Sequence, residues 1–131
     1  MAITKDASVQ SVQSKIVYIN LADVATGVDQ AAIALPANAV IIGGAVVTET
    51  AWNSTTSDVI SVGDTATYNR YLSAGNFRAA AANVPLVPTG FIHPGGNITV
   101  RWVSGGGTPT TGKSRVRVDY VIIGQANATY G

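Results

Sequence analysis

Cysteine is missing from all 131 residues, histidine occurs once, and charged side chains make up only 11% of the chain. The first absence excludes a disulfide framework, a thiolate zinc site and a thiol nucleophile, and it leaves the redox compartment unread. The lone histidine, His93, precedes Pro94 in a turn, which holds its backbone extended. No Gly-x-Ser-x-Gly motif accompanies it, so it reads as a solvated turn residue rather than a catalytic base. An ordinary soluble domain carries about 25% charged residues. A monomer exposed on every side uses charge for solubility, so a surface of small uncharged residues implies that other subunits cover much of it. The plainer alternative is a stable β-domain that happens to be poor in charge.

The charges present are scattered, with a formal net of +1. No Lys/Arg stripe is available to neutralise phosphates, so nucleic acid is not an expected partner. No apolar run approaches the roughly 18 residues of a membrane span. Met1–Ser14 lacks the basic start and apolar core of a signal peptide, so neither a membrane partner nor general export is expected. The triplets beginning at Asn53, Asn97 and Asn127 match the glycosylation pattern and read, without such a signal, as chance in a Thr-rich chain.

The acids Asp6, Asp23, Asp29, Glu49, Asp58, Asp64 and Asp119 could pair by accident in any sheet protein, whereas a glycosidase needs two carboxylates placed across a bond. Gly63-Asp64-Thr65 and Asp23…Asp29 lack the dense ligand spacing of a calcium loop and read as turn residues bonding their own backbone. Gly105–Gly107 lacks the Lys-Ser/Thr and the following helix of a phosphate loop. No catalytic residue, metal, cofactor or small-molecule substrate is therefore expected. Function is sought in surfaces.

What is present is a strand pattern. Val116, Val118, Tyr120 and Ile122 alternate with Arg115, Arg117, Asp119 and Val121, giving one apolar and one mixed face. Similar runs recur at intervals of roughly 8–12 residues: Lys15–Leu21, Ala31–Leu35, Val40–Thr50, Asp58–Val62, Tyr68–Leu72, Asn83–Pro88, Asn97–Val103 and Arg115–Ile123. They predict an all-β chain, an antiparallel, jelly-roll-like β-sandwich of about eight strands. It forms a single domain over 15–131, large enough to bury roughly two-thirds of its unfolded surface. Met1–Ser14, polar with isolated Ile3, Val9 and Val12, reads as an arm. Pro36 and Ala37-Asn38 mark a turn, and Gly43-Gly44 is expected to bend or bulge the longest run. Ala74–Ala82 alone has helical propensity and is expected to form a turn or two of helix. His93–Gly96 and Gly105–Pro109 read as loops.

The densest contact potential lies in Tyr68-Asn69-Arg70-Tyr71 and Phe77-Arg78, because Tyr and Arg join large contact area to directed hydrogen bonds. Equally, Tyr68 or Tyr71 faces the core while Arg70 points outward. Trp52 and Trp102 read first as core anchors, although Trp52 adjoins the polar turn Asn53–Ser57 and is a candidate for partial exposure. The expected partner-contacting set is Ile3, Lys5, Val9, Val12, Trp52, Tyr68, Arg70, Tyr71, Phe77 and Arg78.

The stretch Ala34-Leu35-Pro36-Ala37-Asn38-Ala39-Val40-Ile41-Ile42-Gly43-Gly44, with Thr50-Ala51-Trp52-Asn53, Ser57-Asp58-Val59-Ile60-Ser61-Val62-Gly63-Asp64 and Asn69-Arg70-Tyr71-Leu72, resembles small structural proteins of tailed bacteriophages, typically head decoration, or cement, proteins. The resemblance runs from about Ile16 to Ile123 as a pattern of strands and turns. It implies a jelly-roll sandwich arranged as homotrimers on the outer surface of the capsid, made in the host cytoplasm and then clamping subunits of the major capsid protein against the pressure of packaged DNA. The Met1–Ser14 arm would reach onto a neighbouring subunit and add a strand to an exposed edge. Similar folds occur in tail-fibre and baseplate parts, so the alternative is a tail-associated adhesion module that binds host glycan through Trp52, Tyr68 and Tyr71.

Overall fold

The computed structural model describes residues 8–9, 11–78, 83–123 and 128–129. Its strands are β1 (Ser8–Val9), β2 (Gln13–Asn20), β3 (Val28–Leu35), β4 (Ala39–Thr50), β5 (Asp58–Asp64), β6 (Leu72–Asn76), β7 (Asn83–Pro85), β8 (Ile92–His93), β9 (Gly96–Ser104), β10 (Lys113–Ile122) and β11 (Ala128–Thr129). One sheet has the order β2-β10-β4-β7, with β8 also paired to β4, and the other has the order β3-β9-β5-β6. The pairings within both are antiparallel. The chain passes back and forth between the sheets, which is the jelly-roll interleave and matches the sequence expectation. The small pair β1-β11 joins Val9 to Ala128 and Ser8 to Thr129.

The period-two pattern accounts for the core. In β10, Ser114, Val116, Val118 and Tyr120 are buried while the residues between them face outward or lie half-buried. Ile19 of β2 and Ile41 and Val46 of β4 complete that sheet's inner face. Across from them lie Ile33 and Leu35 of β3, Ile60 and Val62 of β5, and Ile98, Val100 and Trp102 of β9. Burying a large apolar side chain contributes about 1.5–3 kcal/mol, so this two-sided layer is the main support of the fold. The pairing of β10 with β4 slips between Asp119 and Tyr120, opposite Gly43 and Ile41. Gly44 has φ +135°, and a Cβ there would stand 2.1 Å from the Arg117 carbonyl oxygen. The expected irregularity at Gly43-Gly44 is therefore a real bulge that only glycine accommodates.

Two expectations are corrected. The strand predicted over Tyr68–Leu72 begins only at Leu72 and runs to Asn76. The preceding residues turn instead, because the Asp64 carboxylate accepts hydrogen bonds from the backbone N–H groups of Ala66 and Thr67. The helix expected over Ala74–Ala82 is overtaken through Asn76 by β6, and Phe77 and Arg78 lie in no regular element. The Phe77 N–H donates to the Asp58 carbonyl and its ring is fully buried, so tertiary packing overrides the local preference of alanine. Residues 79–82 of that expectation lie outside the described residues. At the other end, Gln13 and Ser14 pair with Tyr120 and Asp119 as part of β2. A 3-10 turn at Leu21–Asp23 is the helical element among the described residues.

Candidate interaction surface

At one end of the sandwich, the segment after β5 is tied down by two stacked cations. Asp64 is 4% exposed. It receives Arg70 Nε at 2.6 Å, together with the N–H groups of Ala66 at 3.1 Å and Thr67 at 2.8 Å. Burial pushes its carboxyl up, but the hydrogen bonds from Arg70 and Thr67 and the nearby charges of Arg70 and His93 outweigh that push and hold it below the usual carboxylate value. The Arg70 guanidinium then lies 3.7 Å from the centre of the Phe91 ring. Alongside, Arg101 of β9 lies 3.6 Å from the Tyr68 ring and bonds Asp29 at 2.6 Å. That carboxylate raises the Arg101 pKa through its hydrogen bond and charge, working against desolvation. Each unit is a carboxylate, a guanidinium and a ring in series: one ties the segment after β5 to Phe91 beside β8, and the other ties Tyr68 to Arg101 of β9. Gly63 makes the close approach possible, since a Cβ there would stand 2.1 Å from the Thr67 carbonyl oxygen.

The residues singled out from the sequence do not gather into one patch. Trp52, Tyr71 and Phe77 are core residues, between 0% and 1% exposed, and present no surface to a partner. Trp52 packs 5.4 Å from Trp102 and donates to Ser114 Oγ, while Trp102 donates to the fully buried Asp58 carboxylate. Burial and the Asp64 charge raise the Tyr71 phenol, against the lowering effect of Arg70. Arg70 is half-buried in its ion pair, and Arg78 donates to the Ser54 carbonyl. Tyr68 is exposed at one side of the Arg101 stack, and Val12 is exposed. Val9 pairs through its backbone in β1, and Ile3 and Lys5 lie outside the described residues. With Trp52 and Tyr71 inside, the aromatic platform that a glycan would need from Trp52, Tyr68 and Tyr71 is not assembled.

A different surface emerges. Ile16 and Tyr18 point outward from β2, where they are about half exposed, and β2 is an edge strand with only β10 beside it. Register places Ile16 beside Arg117 and then Ala45, and Tyr18 beside Arg115 and then Val47. Ile42 of β4 adds a further exposed apolar side chain. The charges on this face largely cancel: Glu49 pairs with Arg115 at 3.0 Å and Lys113 at 3.5 Å, and Arg117 with Asp119 at 3.4 Å. The signal was in the sequence as the unbroken apolar run Ile16–Ile19. A strand apolar on both faces has one face left over once the core has taken the other.

His93 is also corrected. It is 3% exposed rather than solvated, with Nδ1 accepting from the Gly95 N–H. Among the described residues no group of three or more His, Asp or Glu is placed to hold a metal ion.

No protein-family model matches the chain, and no curated protein matches it in sequence. In three dimensions it superposes on a chain of the cyanophage Pam1 capsid asymmetric unit with a TM-score of 0.71, at 16% identity, over 93% of this chain and 92% of that one. The fold is one found in bacteriophage capsids. A chain of the Ralstonia phage GP4 capsid matches with a TM-score of 0.62 and 16% identity over 96% and 92% of the two chains. A chain of the acid-stable capsid of Helicobacter pylori bacteriophage KHP30 matches with a TM-score of 0.59 and 15% identity over 86% and 93%. Coverage is high in both directions, so each match is to a whole chain of similar length, not to one domain of a larger protein. At this identity the likeness is one of fold.

Proposed function

We propose that the chain is a non-enzymatic structural protein of a bacteriophage virion, a capsid decoration protein that binds the outer surface of the major capsid protein shell as a trimer and stabilises it. The observation that carries the reading is the whole-chain likeness to a component of the Pam1 capsid asymmetric unit. Three further features support it. The chain is poor in charge for a protein exposed on all sides. The β2-β10-β4 face leaves Ile16, Tyr18 and Ile42 uncovered, amid charges that neutralise one another. The buried acids are held in fixed hydrogen bonds: Asp58 binds Ser54 and Trp102, and Asp64 binds its own turn and Arg70.

Avidity explains how modest faces suffice. A trimer that engages several shell subunits turns later contacts into intramolecular ones, and its closed symmetry prevents runaway assembly. The arm extends the reach, with residues ahead of β1 pairing with an exposed edge of a neighbouring subunit. The test is co-sedimentation of the purified protein with shells stripped of it. The full chain is expected to pellet with the shells and to raise their survival of heating, whereas a chain left in the supernatant overturns the reading. Deleting residues 1–9 is expected to leave the sandwich folded and to weaken binding strongly, and unchanged binding by this truncation removes the arm from the mechanism.

A further inference from the structure

The edges of the two sheets differ in how they are guarded. On β3 the register slips between Ala31 and Ile33, and β6 joins β5 across a slip between Ile60 and Val62. On the far flank of β4, β7 and β8 are only three and two residues long, and β7 ends in Pro85. Bulges, short strands and proline all blunt an edge against further pairing. β2 has none of these. Its eight residues pair with β10 in unbroken register, and its one charge, Lys15, reaches across to the Ala34 carbonyl. A long, regular, apolar edge is a template for another strand.

Beside that edge the sandwich is open. A cleft of about 230 Å³ lies between β2 and β3, walled by Val17, Ile19, Val24 and Ala32 and reaching Val100 of β9, which is 1% exposed. An engineered cavity of about 150 Å³ admits a benzene ring, so this space holds a branched aliphatic side chain. Asp23 stands in the same wall. Its Oδ2 accepts from the Asn20 backbone N–H and side-chain amide. Asp29, Glu49, Asp64 and Asp119 are all ion-paired, whereas Asp23 has no cation among the described residues. A strand laid along β2 turns every second side chain into the gap between the sheets. The cleft therefore calls for an extended segment with a branched aliphatic residue and, two positions away, a cation.

We propose that the occupant is residues 1–7 of a second copy of this chain, laid along β2 with Ile3 in the cleft and Lys5 against Asp23. In an extended segment Ile3 and Lys5 share one face. Outside the described residues they are the only branched aliphatic and the only cationic side chain. The segment comes from another copy because β1 ties Ser8 and Val9 to β11, ahead of the Gln13 end of β2, while the cleft adjoins Val17–Ile19. To fill its own cleft the chain would have to double back immediately beyond β1. Main-chain bonds and burial of Ile3 hold the segment, and the exposed ion pair sets its register. Donor and acceptor are different surfaces, so the contact is head-to-tail and closes into a ring. The inference deepens the trimer proposed above and needs no shell, so its failure and a failure of co-sedimentation are distinguishable.

The test uses the full chain, whose lack of cysteine lets one introduced thiol report alone. Ile3→Cys and Ala32→Cys variants, refolded together from denaturant and treated with a short bismaleimide, are expected to give covalent dimers that neither variant gives by itself. Ala31→Cys, at the exposed neighbouring position, serves should Ala32→Cys fail to fold. In sedimentation velocity, Lys5→Glu and Asp23→Lys are each expected to raise the concentration of half-dissociation by about threefold, and the double variant to recover most of the loss. The proposal is overturned by absence of the mixed dimer or by a chain that stays monomeric at every concentration. A link formed at high dilution within one chain carrying both thiols overturns it in favour of a self-filled cleft, and a double variant no tighter than the single ones removes the Lys5–Asp23 register on which it rests.

Discussion

Asp64 is the residue on which the most local structure depends. One carboxylate caps its own turn and holds Arg70 against Phe91, so replacing it by Asn removes the charge from several hydrogen bonds at once. Asp64→Asn is expected to cost about 2 kcal/mol, read as a lower chemical-denaturation midpoint. The sign with pH follows from its depressed pKa. The contribution of Asp64 is complete above the ordinary carboxyl value of 3.8 and fades as pH falls below it toward the folded-state value. The gap in stability between wild type and variant is therefore expected to be constant near neutrality and to narrow in acid, and a gap that widens in acid contradicts the assignment. Its neighbour Gly63 has no room for a methyl group beneath the Thr67 carbonyl. Gly63→Ala is expected to destabilise by about 1–3 kcal/mol and to loosen the Tyr68 and Arg70 stacks, measured as loss of amide protection in residues 64–71.

Among the elements, the strands with simple alternation were legible and the segments ruled by side-chain capping were not. Val116, Val118 and Tyr120 announced β10 because a half-buried strand repeats every second residue. Gly43-Gly44 announced the bulge because few other residues tolerate such backbone. Tyr68–Leu72 misled because two tyrosines and a leucine look like a strand, while the decisive interaction is Asp64 reaching forward to Ala66 and Thr67. Ala74–Ala82 misled because alanine prefers helix only where nothing larger is at stake, and Phe77 fills the core. Phe77→Ala is expected to cost about 3–5 kcal/mol by thermal denaturation. The candidate interface divided in the same way. The aromatic types were recognisable, but which rings turn inward depends on register, and register is set by pairings far apart in the chain. On β2, Ile16 and Tyr18 lie on the outer face. Substituting Ile16→Lys together with Tyr18→Glu is expected to shift stability by less than about 0.5 kcal/mol per site yet abolish co-sedimentation with shells. Full binding by the double variant would move the docking face elsewhere.

At the scale of the whole molecule, a cysteine-free, charge-poor jelly roll superposes along nearly its entire length on a chain from a phage capsid. The two sheets form the body of the molecule, and on the proposed reading the outer face of β2 is its docking surface. The central claim is that this body sits on the outside of a phage head. Immunogold labelling of intact virions from an infected culture, with antibody raised against the purified chain, tests it most directly. Gold distributed over the heads is the predicted result; gold confined to tails, or particles carrying none, would contradict it.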